Sequence, residues 1–533
     1  MTELENNEFI TTQNQTEAAQ ASQGGASGAV PQSAPQSTHL QNTQPQTRVY
    51  KPSESELRVQ QVRNNFGPIA LATLIYAFFY TFCLYKNLVG VTFPIFVAGT
   101  FYYLLFCMKT LEIQLKKDAW FYIVCSILLG ISTFTTDSAP IQVFNFIGIL
   151  LLIGSFMVHH TYEDGKWDFA KYLGTVFYTA ISAVAQVIQP FVHFNYFLKN
   201  RSKKPDGKGK YVWYGILITV PLLLVVLALL ASADMVFDRL IGKVFEFGNL
   251  VPTDVFGVLF LTIFAFFAAY SYLCAVVSKD LKEEVENKRT GEPVIAITFT
   301  SALTVVYLVF SLIQVVYLFV GGMQIPYGHT YAEYARQGYF QLLFVCLLNL
   351  VLVLVCLGRF REHKVLKVVL TVMSGCTYIM IASSIYRMML YVSAYCLTFT
   401  RVLVIWSLIV LMILLTGIVI SIFKPVFPLF RFCMIVVTCS YLCLSFSHQD
   451  YFIAKYNLTT AQESSAFNMD YDYLYRLSAD KYPAMVKYMN LEQQQAYNEG
   501  SRVGLYEEAI LVSKNMSFRT WNLSKYIAGQ SVK

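Results

Sequence analysis

Four short segments of this sequence place ionisable residues among aromatic ones beside long apolar runs, where charge is rare. A charged side chain at the edge of an apolar environment is costly, so such residues usually pair, face a cavity or line a ligand pathway. We therefore treat the four segments as a candidate site, which short loops between packed helices would assemble. Three of them carry Asp234, Asp238, Arg239, His329, Tyr331, Glu333, Tyr334, Arg336, Arg387, Tyr391 and Arg401. The fourth carries His448, Asp450, Lys455 and Asn457.

Arg387 is the most unusual of these residues, because apolar side chains flank it in the stretch IYRMML (385–390). Two roles are open. The favoured role is a salt bridge between helices, with Asp234, Asp238 or Glu333 as the acid. The other role is an anchor for an anion or a lipid headgroup. A guanidinium suits both, since its planar fork binds a carboxylate or a phosphate through two hydrogen bonds.

Catalytic and metal-binding motifs were sought without success. The sequence contains no GxxxxGK[ST], GxSxG or HExxH pattern. Adjacent His159 and His160 would point to different faces of a helix. His329 and Glu333 have the spacing of two metal ligands, but no third ligand accompanies them. We therefore expect no catalytic residue, metal or cofactor, and an enzyme is the less favoured class.

The composition indicates an integral membrane protein. Apolar residues make up 56% of the 533 residues and charged residues only 14%, whereas a soluble domain carries roughly 25% charged residues. Much of the net charge of +7 lies in short loops beside apolar runs, which is typical of membrane topology rather than of nucleic-acid binding. The 11 cysteines lie almost wholly in apolar runs without CxxC spacing, so neither disulfides nor a zinc site is expected.

Continuous apolar runs predict an all-α polytopic bundle of about 11 transmembrane helices, or about 12 if residues 172–192 cross. That run contains Gln186, Gln189 and Pro190, so we interpret it as an interfacial or re-entrant helix. The predicted spans are 68–85, 88–108, 119–136, 139–158, 212–233, 255–277, 294–320, 339–357, 365–386, 400–423 and 426–446.

Basic residues in the short loops predict the orientation. Those before the first span and after the second, sixth and eighth spans fall on one side, which the positive-inside rule makes cytoplasmic. The basic loop Lys199–Lys210 joins them if 172–192 does not cross. The chain then divides into a disordered polar tail (1–65), a transmembrane bundle (66–446) and a small helical domain (447–533) that lies outside.

Five separated segments, in the right order, carry a family resemblance. They are LITVPLLLVVLALLASADMVF (217–237), YAEYARQGYFQLLFVCLLNL (331–350), SIYRMMLYVSAYCLTFTR (384–401), DYFIAKYNL (450–458) and DYLYRLSADKYPA (472–484). Together they resemble a bacterial multi-pass membrane family described only as a domain of unknown function (DUF4173/DUF4153-like). The resemblance covers roughly residues 65–525. It implies a multi-pass protein of a bacterial cytoplasmic membrane and supplies no established activity.

Three classes of function stay open. The favoured class is transport or handling of a lipid or envelope precursor through a polar site on the outer face, because the chain has many spans and ionisable residues near one end of them. The alternative is a membrane sensor or an assembly scaffold that meets an envelope or membrane protein. A lipid-linked glycosyltransferase-like enzyme is least favoured, because the first outer loop is short and carries Lys86 rather than acids. Membrane lipids are the expected partners.

The polar tail generates the first prediction. Residues 2–50 have no apolar periodicity with which to pack on the bundle, so their deletion should leave membrane insertion and thermal stability unchanged. The measurement is the yield and unfolding temperature of the detergent-solubilised protein. A large loss of folded protein would show that the tail docks on the rest of the chain.

Overall fold

The computed structural model describes residues 53–164, 167, 169–201, 226, 252–278, 289–316, 331–463, 469–514 and 516–533. Within these residues every regular element is a helix, and the one strand-like pairing is an isolated parallel bridge between Gly291 and Phe360. The prediction of an all-α protein is confirmed.

Long apolar helices make up the bundle. Eight of the helices in the described part are long and apolar enough to cross a bilayer, or up to ten if each of two bent pairs is one span. The helices up to the last predicted span are α1 (Glu54–Asn64), α2 (Phe66–Leu84), α3 (Thr92–Thr110), α4 (Ala119–Thr135), α5 (Ala139–Thr161), α6 (Phe169–Ala185), α7 (Gln189–Arg201), α8 (Pro252–Val277), α9 (Pro293–Gln314), α10 (Tyr331–Arg359), α11 (Lys364–Tyr395), α12 (Phe399–Phe423) and α13 (Leu429–Ser445). Every predicted span except 212–233 coincides with one of them, and 212–233 lies outside the described residues.

Three boundaries differ from the sequence prediction. Helix α1 (Glu54–Asn64), which a capping box at Ser53 begins, lies within the tail (1–65) that was predicted to be disordered. Helix α4 has only 17 residues, shorter than the other apolar helices that could cross alone. Helix α10 begins at Tyr331, eight residues before the predicted span. The added segment YAEYARQG is rich in alanine and in long polar residues that favour helix, so the helix continues beyond its apolar part.

A small helical domain follows α13. It contains α14 (Gln449–Glu463), α15 (Tyr471–Arg476), α16 (Tyr482–Tyr488), α17 (Leu491–Gly500), α18 (Leu505–Lys514) and α19 (Leu523–Ser531). Its core includes Ile453, Leu474, Met485 and Tyr497. Lys481 is buried beneath α15, and its Nζ donates hydrogen bonds to the backbone carbonyls of Leu474 and Tyr475, each at 3.0 Å. Buried in this way, the lysine closes the C-terminal end of α15.

The bundle has two helical groups. The first group, α1–α8, surrounds an apolar core that includes Phe93, Phe156 and Tyr270. The second group, α9–α12, surrounds another core, which includes Leu370 and Leu408. Helix α13 packs on α12 of the second group and on α4 of the first, so it connects the two.

Contacts between loops define the two ends of the bundle. At the end that we call inner, Arg58 lies over the ring of Tyr162, and Tyr162 donates to the carbonyl of Val276. At the same end, Arg431 at the start of α13 lies 3.7 Å from Asp118. The opposite, outer end carries the C-terminal domain. Basic loop residues such as Lys116 and Arg361 therefore gather at the inner end, as the positive-inside pattern requires.

Helices α6 and α7 form a bent pair. The bend between them is 61° and falls at residues 186–188, beside Gln186, Gln189 and Pro190. Before α6, Trp167 packs on Tyr162 at the inner end. In α7, Tyr196 lies 4.1 Å beneath the guanidinium of Arg63, which also belongs to the inner end. Both ends of the pair thus contact the inner end of the bundle, which favours the re-entrant interpretation.

The topology generates the second prediction. A cysteine in place of Ser517, in the C-terminal domain, should react with an impermeant thiol reagent in intact cells, whereas one in place of Asn200, at the end of α7, should react only after permeabilisation. The background needs Cys433, Cys439 and Cys443 replaced, because the other eight cysteines are buried. Labelling of Asn200→Cys alone would invert the orientation. Labelling of both in intact cells would show that α6–α7 crosses the membrane.

Candidate outer-end polar site

Arg387 lies at the outer boundary of the apolar bundle. It is 23 residues after Lys364, the inner start of α11, which corresponds to roughly 34 Å of helix against a hydrocarbon core of about 30 Å. Its side chain is buried. Nη2 donates to Oε1 of Gln314, the last residue of α9, at 2.9 Å, and Ser383 donates to the same oxygen at 2.6 Å. A polar cluster therefore joins α9 and α11 at headgroup depth.

An arginine–tyrosine stack lies one turn further out. Tyr391 follows Arg387 by four residues, so the two lie on one face of α11. The guanidinium of Arg401, in the first turn of α12, lies 4.1 Å from the centroid of the Tyr391 ring. This is the geometry of a cation–π contact. Arg401 thus contacts a tyrosine that lies one turn beyond Arg387 at the outer end of the second helical group.

Lipid-exposed residues lie beside this cluster. Tyr386, Met389 and Tyr395 of α11 are 37%, 54% and 45% exposed, respectively. Residues of an apolar helix that face outwards at this depth contact acyl chains and headgroups. The cationic cluster is therefore next to an exposed surface of α11.

The fourth predicted segment has a different role, because it attaches the C-terminal domain to the bundle. Asn457 Oδ1 accepts from the backbone N–H of Leu397 at 2.7 Å, and its Nδ2 donates to the Leu397 carbonyl at 2.9 Å. Asp450 accepts from the backbone N–H of Ser478 at 3.1 Å. Lys455 lies over the ring of Tyr488. Asn457 therefore joins the domain to the bundle, whereas these contacts of Asp450 and Lys455 lie within the domain.

Asp480 is the centre of the interface between the domain and the bundle. Thr136, in the loop between α4 and α5, donates to Oδ2 of Asp480, and His448 Nδ1 lies 3.1 Å from Oδ1. Burial opposes ionisation of Asp480, but hydrogen bonds from His448, Thr136 and Ser524 outweigh it, and the pKa of the carboxyl is lowered. The hydrogen bond to Asp480 likewise raises the pKa of His448. A charged pair therefore joins α13, the C-terminal domain and the first helical group.

The remaining predicted site residues cannot be placed. Asp234, Asp238, Arg239 and His329 lie outside the described residues. Tyr331, Glu333, Tyr334 and Arg336 lie in the first two turns of α10, but their side chains also lie outside the described part. The predicted pairing of Arg387 with Asp234, Asp238 or Glu333 therefore stays a prediction. No group of three or more His, Cys, Asp or Glu side chains in the part of the chain that the structure describes could hold a metal ion.

Sequence reasoning missed two polar residues inside apolar runs. Gln314 is a partner of Arg387, and Asn145 in the second turn of α5 is fully buried among hydroxyls of α4 and α13. A polar side chain in the middle of an apolar run was the available signal. The same signal marks Asn349 of α10, whose Nδ2 donates to Thr377 of α11 at 3.1 Å.

Comparison with known proteins gives a family but no activity. The family model described as a domain of unknown function (DUF4153) matches residues 123–488, more than half of the chain. No curated protein and no solved structure matches the chain. The matched region runs from α4 to α16, so it contains the Arg387 cluster and the His448–Asp480 pair.

The His448–Asp480 pair generates the third prediction. Because the folded-state pKa of His448 is raised above its ordinary value of 6.5, its stabilising contribution should be complete below that value and should be lost as the pH rises through the raised pKa. His448→Gln should therefore lower the unfolding temperature at about pH 6 and approach the wild type at about pH 9. At acid pH the difference in unfolding temperature between His448→Gln and the wild type should disappear again, because Asp480 is then protonated.

The control is His39→Gln, in the N-terminal segment, which should match the wild type at every pH. A His448→Gln effect that is constant from about pH 6 to about pH 9 would contradict a charged pair and indicate packing alone.

Proposed function

Since the chain belongs to the DUF4153 family, whose function is unknown, we propose from its own geometry that this integral membrane protein binds and handles a phosphate-bearing lipid or lipid-linked envelope precursor. The observation that carries the proposal is Arg387, buried at headgroup depth beneath the Tyr391–Arg401 stack. Arg387, Tyr391 and Arg401 belong to the predicted site. We expect the membrane to be a bacterial cytoplasmic membrane.

The chemistry of the cluster suits a phosphate. Guanidinium presents five N–H donors in a rigid fork that matches two phosphate oxygens. The Gln314 carbonyl oxygen, which accepts from Arg387 and Ser383, orients the fork between α9 and α11. Arg401 contributes a second positive charge one turn nearer the aqueous phase. Its guanidinium lies over the Tyr391 ring, and its Nη1 donates to the backbone carbonyls of Tyr395 and Cys396, so these contacts hold the charge at the outer end of α11.

Depth and exposure favour a lipid as the source of the phosphate. Lipid phosphates lie just beyond the hydrocarbon core, which is where helix length places Arg387. The neighbouring exposed residues of α11 are tyrosine and methionine, which suit the interface between acyl chains and headgroups. A soluble anion would gain no binding energy from these apolar neighbours.

A membrane scaffold is the second candidate, and one observation favours it. The C-terminal domain contacts both helical groups, through Leu397 of the second and Thr136 of the first. On its surface Leu491 and Phe518 are 79% and 80% exposed. Such a domain could present a surface to an envelope protein while holding the bundle together.

Lipid retention by Arg387 variants is the fourth prediction. Arg387→Gln should lower the fraction of protein that carries phosphatidylglycerol in native mass spectrometry several-fold, because the charge-assisted contacts to phosphate are lost. Arg387→Lys should give an intermediate fraction, since it keeps the charge and loses the fork. The matched control is Arg359→Gln, an exposed arginine at the inner end, which should retain lipid as the wild type does.

The structural role of Arg387 gives a different result. If the residue only pairs with a buried acid, Arg387→Gln should destabilise the fold by about 3–5 kcal/mol, and neutralising the acid as well should restore part of that loss. Lipid retention by the folded fraction would then be unchanged. That outcome, or unchanged stability with unchanged retention, contradicts lipid binding at Arg387.

A further inference from the structure

A cavity of about 400 Å³ lies at the outer end of the first helical group, away from Arg387. One wall is the loop between α2 and α3, with Lys86, Leu88 and Val89. The other wall belongs to the C-terminal domain and includes Met516 and Lys525. The volume falls within the range of small-molecule sites, roughly 300–1,000 Å³.

The two walls are held together by hydrogen bonds. Arg519 donates to the carbonyls of Phe82 and Tyr85 at 2.9 and 3.0 Å, and its own carbonyl accepts from Asn87 at 2.8 Å. The N–H of Val91 donates to the carbonyl of Trp521 at 2.9 Å. Because Gly90 has no side chain, the two backbones approach closely: a Cβ there would lie 2.0 Å from the Arg519 carbonyl oxygen. The cavity is therefore preformed when the domain is docked.

The charges of the lining favour a monoanion. Lys86 and Lys525 are positive, and Asp137 pairs with Lys525 at 3.1 Å, so the lining residues within the described part of the chain carry a formal charge of +1. Burial raises the pKa of Asp137, and Lys525 opposes that rise. A phosphate monoester carries about 1.5–2 negative charges at neutral pH and would be repelled by Asp137. A phosphodiester carries one.

The backbone at Lys86 supports a ligand role. Its φ of 53° lies in the left-handed region, which is uncommon for a residue with a side chain and costs of order 1 kcal/mol or more. Strain of this kind tends to persist at ligand sites. Here it falls on Lys86, the residue after the C-cap of α2, and this cation lines the cavity.

We infer that this cavity binds a phosphodiester monoanion, supplied by a lipid headgroup or by a soluble glycerophosphodiester. The lysines contact the phosphate oxygens. Leu88, Val89, Val512 and Met516 cover the apolar part of the ligand. Because the walls come from the bundle and from the C-terminal domain, the ligand binds only the docked form and stabilises it by mass action.

The experiment is hydrogen exchange of the full-length protein in detergent, read at residues 85–91 and 516–525. The probes are dihexanoylphosphatidylglycerol, glycerophosphoglycerol and inorganic phosphate. If the headgroup alone is bound, dihexanoylphosphatidylglycerol and glycerophosphoglycerol, the two diesters, should both slow exchange at these residues. If contacts with the acyl chains are required, only dihexanoylphosphatidylglycerol should slow it. Inorganic phosphate at about pH 8 should act weakly, because it is then mostly a dianion.

Two variants test the charges in opposite directions. Lys86→Gln should weaken diester binding roughly three- to tenfold, the scale of one partly exposed charge contact. Asp137→Asn should instead strengthen the binding of inorganic phosphate, because it removes the negative charge that repels a dianion. A loss of folding could not produce stronger binding. The control Lys533→Gln removes an equal charge at a position that does not line the cavity and should bind as the wild type does.

Three results would overturn the inference. They are unchanged exchange with both diesters, inorganic phosphate acting as strongly as the diesters, and equal binding by Lys86→Gln and Lys533→Gln. The readout covers the loop between α2 and α3 and the facing residues of the C-terminal domain, so it reports on this cavity. Arg387→Gln should leave it unchanged, so the result is independent of lipid binding at Arg387.

Discussion

Asn145 must make its hydrogen bonds inside the protein, because a hydrocarbon core offers no water to a buried amide. Its Nδ2 donates to Thr133 and Ser132 of α4, and its Oδ1 accepts from Tyr441 and Ser445 of α13 at 2.7 Å each. Every donor and acceptor of the side chain is thus satisfied across three helices. This network attaches α13 to the first helical group, while the Trp406 indole donates to the Ser440 carbonyl and holds the same helix to α12 of the second.

The position of α13 determines where the C-terminal domain lies. The helix ends at Ser445, and the next residues lead through His448 directly into α14. With α13 fixed, His448 and Asp450 reach the Ser478–Asp480 turn, and Asp480 reaches Thr136 at the outer end of α4. Domain docking therefore follows from an interaction within the membrane. The cavity beside Lys86 depends on this docking too, since half of its wall is the domain.

Hydropathy predicted the helices well because a bilayer demands about 20 apolar residues per crossing and leaves few alternatives to helix. Once the spans are known, their alternation assigns each loop to one of two sides, and the basic loops then fall on the same side. The pairing of side chains between helices was harder to predict from the sequence, because it depends on the rotation of each helix about its axis. Gln314 illustrates this: the run 294–320 showed that a helix was present, but not that residue 314 would face Arg387. Asn457 and Asp450 looked like site residues because their types are unusual beside an apolar run, a signal that docking contacts share with ligand sites.

The fold divides the predicted outer-face site into a docking part and a cationic part, and it also connects them. Asn457 of the domain holds both backbone groups of Leu397, the middle one of the three residues between α11 and α12. Tyr391 and Arg401 lie on either side of that turn, and the residue before Leu397, Cys396, is in the left-handed region with φ of 73°. A turn strained in this way has few alternative conformations, so the docked domain constrains the separation of α11 and α12 at their outer ends. The position of Arg401 relative to Tyr391 is then set in part by the docked domain, through the turn that joins α11 and α12.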